Sequence, residues 1–120
     1  MSVELGSFRF RREEHLKGRK EIREVFGKGK RYSCHGAKLY VLKNDLPFNR
    51  ICFTFSRNFG NAVSRNRARR LGREAFRLMK DRFTVGFDLI LLVTAGLPDA
   101  VLFDRIRQLE SLFSKAGLLK

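Results

Sequence analysis

The chain has 120 residues and a mass of 14.0 kDa, with 43% hydrophobic residues and 12 Phe. That suffices for one buried core and argues against both disorder and a second domain of ordinary size. Its 26 Lys and Arg against 12 Asp and Glu leave a net charge of +14, a self-repelling excess whose usual counterpart is a polyanion.

No apolar run approaches the roughly 18 residues of a membrane span. The start Met1-Ser2-Val3-Glu4-Leu5 lacks the apolar stretch of a secretory signal. Two cysteines, Cys34 and Cys52, and two histidines, His15 and His35, are too few and too scattered for a zinc site. An intracellular, reduced chain is expected. Charge is also uneven: residues 1–82 carry 22 basic and 8 acidic side chains, whereas residues 83–120 carry four of each. The anion is therefore expected on the first two thirds, with the last third as support.

In chain order, residues 1–14 read as a mobile basic arm in which Arg9, Arg11 and Arg12 are interleaved with Phe8 and Phe10, and 15–120 as a single domain. Ile22, Val25 and Phe26 have helical spacing after Gly18, and Gly27 and Gly29 close that helix. A short strand near 32–36 is an optional addition. Lys38–Leu42 reads as a strand, followed by a turn at Asn44–Pro47. Ile51, Phe53 and Phe55 alternate with Cys52, Thr54 and Ser56, which predicts a half-buried strand paired as a hairpin with the preceding one. A long helix then runs from Asn61 to about Arg82. The unbroken run from Asp88 to Val93 predicts a strand covered on both faces. Pro98-Asp99 opens a last helix, with Asp99 as N-cap, a stripe of Leu102, Ile106, Leu109 and Phe113, and Gly117 at its end. The order α-β-β-(β)-α-β-α predicts a small α+β sandwich.

The segment from Asn61 to Lys80 carries the most information. At roughly 100° per residue, Ser64, Ala68, Leu71, Ala75, Leu78 and Met79 gather on one side. Arg65, Arg69, Arg70, Arg73, Arg77 and Lys80 gather on the other, with Asn66 among them. Like charges at i, i+4 cost a helix a few tenths of a kcal/mol each, and only Glu74 and Asp81 oppose them. A solvated charged face is the plain alternative, but the missing acidic partners point to phosphate. Arg is also the better choice there, since its planar fork grips phosphate oxygens and stacks on unpaired bases. Arg67 lies nearer the packed flank, where its stem can serve structure as well as RNA.

From Phe59 to Arg77 the sequence reads Phe-Gly-Asn-Ala-Val-Ser-Arg-Asn-Arg-Ala-Arg-Arg-Leu-Gly-Arg-Glu-Ala-Phe-Arg. This resembles the signature of the bacterial ribonuclease P protein family, and His15-Leu16-Lys17, Glu24-Val25-Phe26, Gly29-Lys30-Arg31 and the strands at Leu39 and Asp88 extend the likeness over roughly residues 15–115. The resemblance implies an RNA-binding domain whose long helix forms a left-handed βαβ crossover. It implies the protein subunit of ribonuclease P, which assists a catalytic RNA in removing the 5′ leader of precursor tRNA in the bacterial cytoplasm. Carried over by position, the face toward the RNA subunit is Arg57, Asn61, Arg65, Asn66, Arg67, Arg69, Arg70 and Arg73. The cleft for the single-stranded leader is Ile22, Phe26, Lys38, Tyr40 and Thr54. The protein is expected to hold no cofactor or metal of its own and to take no small-molecule substrate, with Mg²⁺ belonging to the RNA-containing holoenzyme.

The chain departs from the family pattern at several points. Ile22 stands where Phe is common, Arg57-Asn58 replaces a pair of lysines, and Thr94 stands where Arg is frequent. Gly72 interrupts the helix at about 1 kcal/mol against Ala. No residue set supports protein-borne hydrolysis: His15 and His35 have no acid or base partner nearby in sequence and read as surface or phosphate contacts. Cys52 reads as a small buried residue and Cys34 as a free thiol. Phe53, Phe55, Phe76, Phe83, Phe87 and Phe113 read as core, while Phe8 and Phe10 could stack on RNA. A ribosomal or other structural RNA-binding protein is the alternative function. A DNA-binding helix fits less well, because base readout mixes Asn, Gln and Ser among fewer Arg.

Overall fold

The computed structural model describes residues 10–94 and 100–120. Helix α1 (Arg19–Lys28) precedes strands β1 (Lys30–Cys34), β2 (Ala37–Lys43) and β3 (Arg50–Phe55). Helix α2 (Ala62–Met79), strand β4 (Phe87–Val93) and helix α3 (Leu102–Lys115) follow, with single 3₁₀ turns at Arg12–Glu14 and Lys80–Arg82. The optional strand is real and lies at β1. The sheet order is β1-β2-β4-β3, with β3 and β4 parallel and the other pairs antiparallel.

One expectation is overturned here. β3 is not a hairpin partner of β2; β4 lies between them, and β2 forms its hairpin with β1. The turn after β2 suggested a hairpin, but the most apolar strand takes the centre, where it is covered on both faces. Parallel β3 and β4 then need a crossover, and α2 supplies it.

Register divides the side chains between two faces. On one, Leu39, Ile51, Phe53, Leu89, Leu91 and Val93 join Ala68, Ala75, Phe76 and Met79 of α2 and Leu109, Leu112 and Phe113 of α3 in the main core. Phe83 stacks on Phe113 with ring centres 3.8 Å apart. On the opposite face, Val25 of α1 packs with Leu16 and Ile90 in a smaller cluster.

The packed stripe of α2 is Ala68, Gly72, Ala75, Phe76 and Met79. It is rotated from the expected one: Ser64 and Leu78 are exposed and Leu71 only half-buried. Gly72 explains the rotation. A Cβ there would stand 2.8 Å from two ring carbons of Phe53, so the missing side chain lets the helix settle on that ring. Gly72→Ala is therefore expected to destabilise the fold by about 1–3 kcal/mol through overpacking, despite the gain of about 1 kcal/mol from helix propensity. Chemical denaturation measures it; a more stable variant would contradict the close approach.

The last helix begins later than expected. Its N-cap is Val101, whose N–H donates to Asp104 Oδ2 at 2.8 Å; Asp99 lies outside the described residues. Gly117, at φ 74°, ends it, with the Leu118 N–H donating to the Phe113 carbonyl at 2.8 Å. Arg105 is buried, and its Nη1 donates to Gln108 Oε1 at 2.8 Å.

The last residues of the expected arm are not mobile. Residues 1–9, with Phe8 and Arg9, lie outside the described residues, but Phe10 to Glu14 are anchored. Phe10 packs on the core and against His15. Buried Glu14 ion-pairs with Lys80 at 3.0 Å. A mobile reading missed this because the partners lie 66 residues away in sequence.

Candidate nucleic-acid interface

At the N-terminus of α2, Asn61 is the N-cap, and its Oδ1 accepts the Ser64 N–H at 2.9 Å. Its side-chain oxygen is thus committed to the helix. Arg65 folds back over the preceding turn, donating to the carbonyls of Gly60, Ser56 and Arg57 at 3.2–3.4 Å. One turn on, Arg69 donates to Asn66 Oδ1 at 2.8 Å. The Arg69 and Arg65 guanidinium carbons stand 5.1 and 6.0 Å from the ring centre of Phe55. Phe55 therefore does more than fill core: at the end of β3 it supports two cations. Only its place as the last residue of an alternating strand hinted at this.

Arg57, Arg70 and Arg73 are exposed. Among the described residues, Arg57, Arg65, Arg69, Arg70 and Arg73 form no ion pair with a carboxylate. The rest of the expected face divides differently. Arg77 pairs with Glu74 and Lys80 with Glu14, so the cationic row fades toward the C-terminal end of α2. Arg67 points to the other flank, donating to the Ala100 carbonyl at 3.0 Å near the start of α3. The helix thus gathers Arg65, Arg69, Arg70 and Arg73, and sets Arg67 apart.

The sheet face carrying α1 presents two rows across the strands. Arg31, Tyr40, Ile90 and Cys52 are in register in one row; Ser33, Lys38, Leu92 and Thr54 form the next. Phe26, 42% exposed, meets Tyr40 edge to face with ring centres 4.8 Å apart. Ile22, Tyr40 and Cys52 each pack against the cluster of Leu16, Val25 and Ile90. The five expected cleft residues therefore share one face: Phe26 against Tyr40, Ile22 on the small cluster beside them, and Lys38 and Thr54 flanking Leu92. Leu92 was absent from the expectation, because an unbroken apolar run does not reveal which positions face which layer.

The two regions adjoin. Burial pushes the Cys52 thiol up, while Arg69 and Arg73 pull it the other way, which puts both guanidinium groups within electrostatic reach of the sheet face. Cys52 is half-buried rather than fully buried. The whole arrangement offers planar cations along a helix, an aromatic pair beside a mixed polar–apolar floor, and a lysine at its margin. An extended single strand uses these features: cations for phosphates, rings for bases.

Comparison with known proteins agrees with that chemistry. The family model described as Ribonuclease P matches residues 10–117. The chain belongs to the ribonuclease P protein family. The ribonuclease P protein component of Syntrophus aciditrophicus is 34% identical over 105 residues, covering 88% of each chain. That of Clostridium botulinum strain Loch Maree is 34% identical over 108 residues, covering 89% of this chain and 97% of the relative. Among solved structures, the ribonuclease P protein of Thermotoga maritima superposes with a TM-score of 0.77 at 25% identity, over 85% of this chain and 96% of that one. The Staphylococcus aureus protein gives 0.79 at 22% identity, over 89% and 98%, a likeness of fold. Membership of the ribonuclease P protein family makes this an RNA-binding component of a tRNA-processing ribonucleoprotein. Among the described residues, no helix is long and apolar enough to cross a membrane.

Proposed function

We propose that this chain is the protein subunit that assists a catalytic RNA in endonucleolytic removal of the 5′ leader from precursor tRNA, in the bacterial cytoplasm. The observation that carries the reading is the row of Arg65, Arg69, Arg70 and Arg73, without carboxylate partners among the described residues, beside an open sheet face. The row meets phosphates of the RNA subunit, with Arg57 and Asn66 at its upper end. The Asn61 side chain contributes through its amide nitrogen, since its oxygen caps the helix. Arg67 contacts RNA only on the α3 flank. The leader runs over Lys38, Leu92 and Thr54, with Phe26 and Tyr40 as the stacking pair and Ile22 as an apolar shoulder. Among the described residues, no three His, Cys, Asp or Glu side chains gather to hold a metal. The ion of the holoenzyme is assigned in this reading to RNA and substrate phosphates, which supply the oxygen ligands Mg²⁺ prefers.

Reconstitution tests the reading. Added to a bacterial ribonuclease P RNA at low Mg²⁺, the protein is expected to restore accurate precursor-tRNA cleavage that the RNA alone performs poorly; no stimulation would refute the assignment. Phe26→Ala tests the cleft. Loss of one stacking platform, worth about 1–3 kcal/mol per base, should weaken binding of leader-bearing precursor roughly tenfold and spare leaderless tRNA. An equal effect on both would displace the leader from this face.

A further inference from the structure

A second cavity lies on the outer side of α2. It measures about 350 Å³ and is lined by Phe10, His15, Arg70, Arg73, Glu74 and Arg77, enough room for one nucleotide. The His15 ring lies nearly parallel to that of Phe10, 4.0 Å between centres and 5° between planes. Its backbone is fixed, because His15 bridges Ile51 at the edge of β3 and the Leu16 N–H donates to the Ile51 carbonyl at 2.9 Å. The imidazole is thus held in place beside two arginines rather than carried on a loose arm.

We propose that Phe10, His15, Arg70 and Arg73 form a receptor for one RNA phosphodiester, and that His15 takes up a proton as the phosphate enters. The inference rests on the RNA-binding reading above and adds a subsite to it. Arg70 and Arg73 supply the fixed positive charge. Burial, then Arg73 and Lys17, hold the His15 imidazole below its usual range, with Glu14 opposing them, which favours the neutral ring before the phosphate enters. The groups facing it are Glu14 and Lys17 from its own segment and Arg70, Arg73, Glu74 and Arg77 from α2; Ile51 of β3 brings no charge. A phosphate placed among these cations reverses the balance. It favours the imidazolium, which donates an N–H to a phosphate oxygen while its ring remains stacked on Phe10. A group whose pKa rises on binding makes the complex tighter as pH falls.

The phosphodiester can come from the RNA subunit or from the precursor, and two titrations separate them. Full-length protein is bound to a bacterial ribonuclease P RNA at pH 8 and pH 6. The assembled holoenzyme is then bound to precursor tRNA at the same two pH values. In one arm, wild type should tighten about three- to tenfold more than His15→Gln between these pH values. His15→Arg should bind with a flat profile and more tightly than wild type at pH 8. His35→Gln, which changes the other histidine, should keep the wild-type profile. Dependence in the first arm assigns the phosphate to the catalytic RNA; dependence in the second assigns it to the precursor. A His15→Gln profile matching wild type in both arms overturns the proposal. Failure of wild type to bind the RNA at any pH would instead overturn the functional reading beneath it.

Discussion

Replacing Arg70 and Arg73 together by Ala should lower affinity for a ribonuclease P RNA by on the order of a hundredfold, at about 1.5 kcal/mol for each charge-assisted hydrogen bond to phosphate that is removed. Both side chains are exposed, and neither is ion-paired among the described residues. The chain itself is therefore little destabilised. It gains slightly, since removing Arg73 relieves like-charge repulsion with Arg69 and Arg77 one turn away, worth a few tenths of a kcal/mol per pair. The slope of log affinity against log salt should flatten by about two. Binding isotherms over a range of NaCl concentrations and a thermal melt check both points. Unchanged affinity, or a collapsed fold, would remove the arginine row from the interface. Arg65→Ala is a less clean test, because that guanidinium also steadies the turn carbonyls of Ser56, Arg57 and Gly60.

The largest effect on stability is expected from Asp88→Ala. Asp88 is buried at the start of β4, where Arg50 Nε and Nη2 each donate to a carboxylate oxygen at 2.7 Å. Asn44 Nδ2 adds a third hydrogen bond at 2.8 Å. That partnership raises the Arg50 guanidinium above its usual range against the opposing effect of burial. Removing the carboxylate strands a guanidinium at a parallel strand pair and leaves Asn44 without its acceptor. Breaking a fully buried pair costs about 3–5 kcal/mol. Arg50 keeps some contact with water, so about 3 kcal/mol is expected, or roughly 10 °C in the thermal midpoint. A midpoint within 2–3 °C of wild type, about the size of an ordinary surface substitution, would show that the pair is dispensable. Arg50→Met with Asp88→Leu should recover much of the stability, because the penalty comes from the uncompensated charge.

Much of the architecture could be read from periodicity. Helical spacing located α1 and α2, alternation located β3, and the run from Asp88 to Val93 located the central strand. Pairing could not be read, because nothing local distinguishes a hairpin partner of β2 from a strand reached through a crossover. The arginine row was readable as composition on a wheel, whereas its division was not. Lys80 is drawn to Glu14 and Arg67 to Ala100, both contacts between segments far apart in sequence. Gly72 misled for a related reason: propensity alone makes it a defect, and only the Phe53 ring beneath it makes it a fit. The cleft residues came from family resemblance, and the register then accounts for their common face. The stacking of Phe10 on His15 and the bridge from His15 to Ile51 could not be read, because a short basic segment without apolar repetition looks the same in sequence whether anchored or loose.

The placement of β4 bears on how this polypeptide is made. Its two sheet neighbours, β2 and β3, emerge from the ribosome well before it, and neither pairs with the other. Until Val93 has been synthesised, the only possible sheet is the β1–β2 hairpin, which is marginal alone in water. The nascent chain must therefore carry its arginine-rich segment without the strand that will hold it, and most of the folding free energy arrives late, through contacts between distant segments. A fragment ending before Phe87 should be soluble only by virtue of its charge, whereas a few further residues bring the whole sheet together.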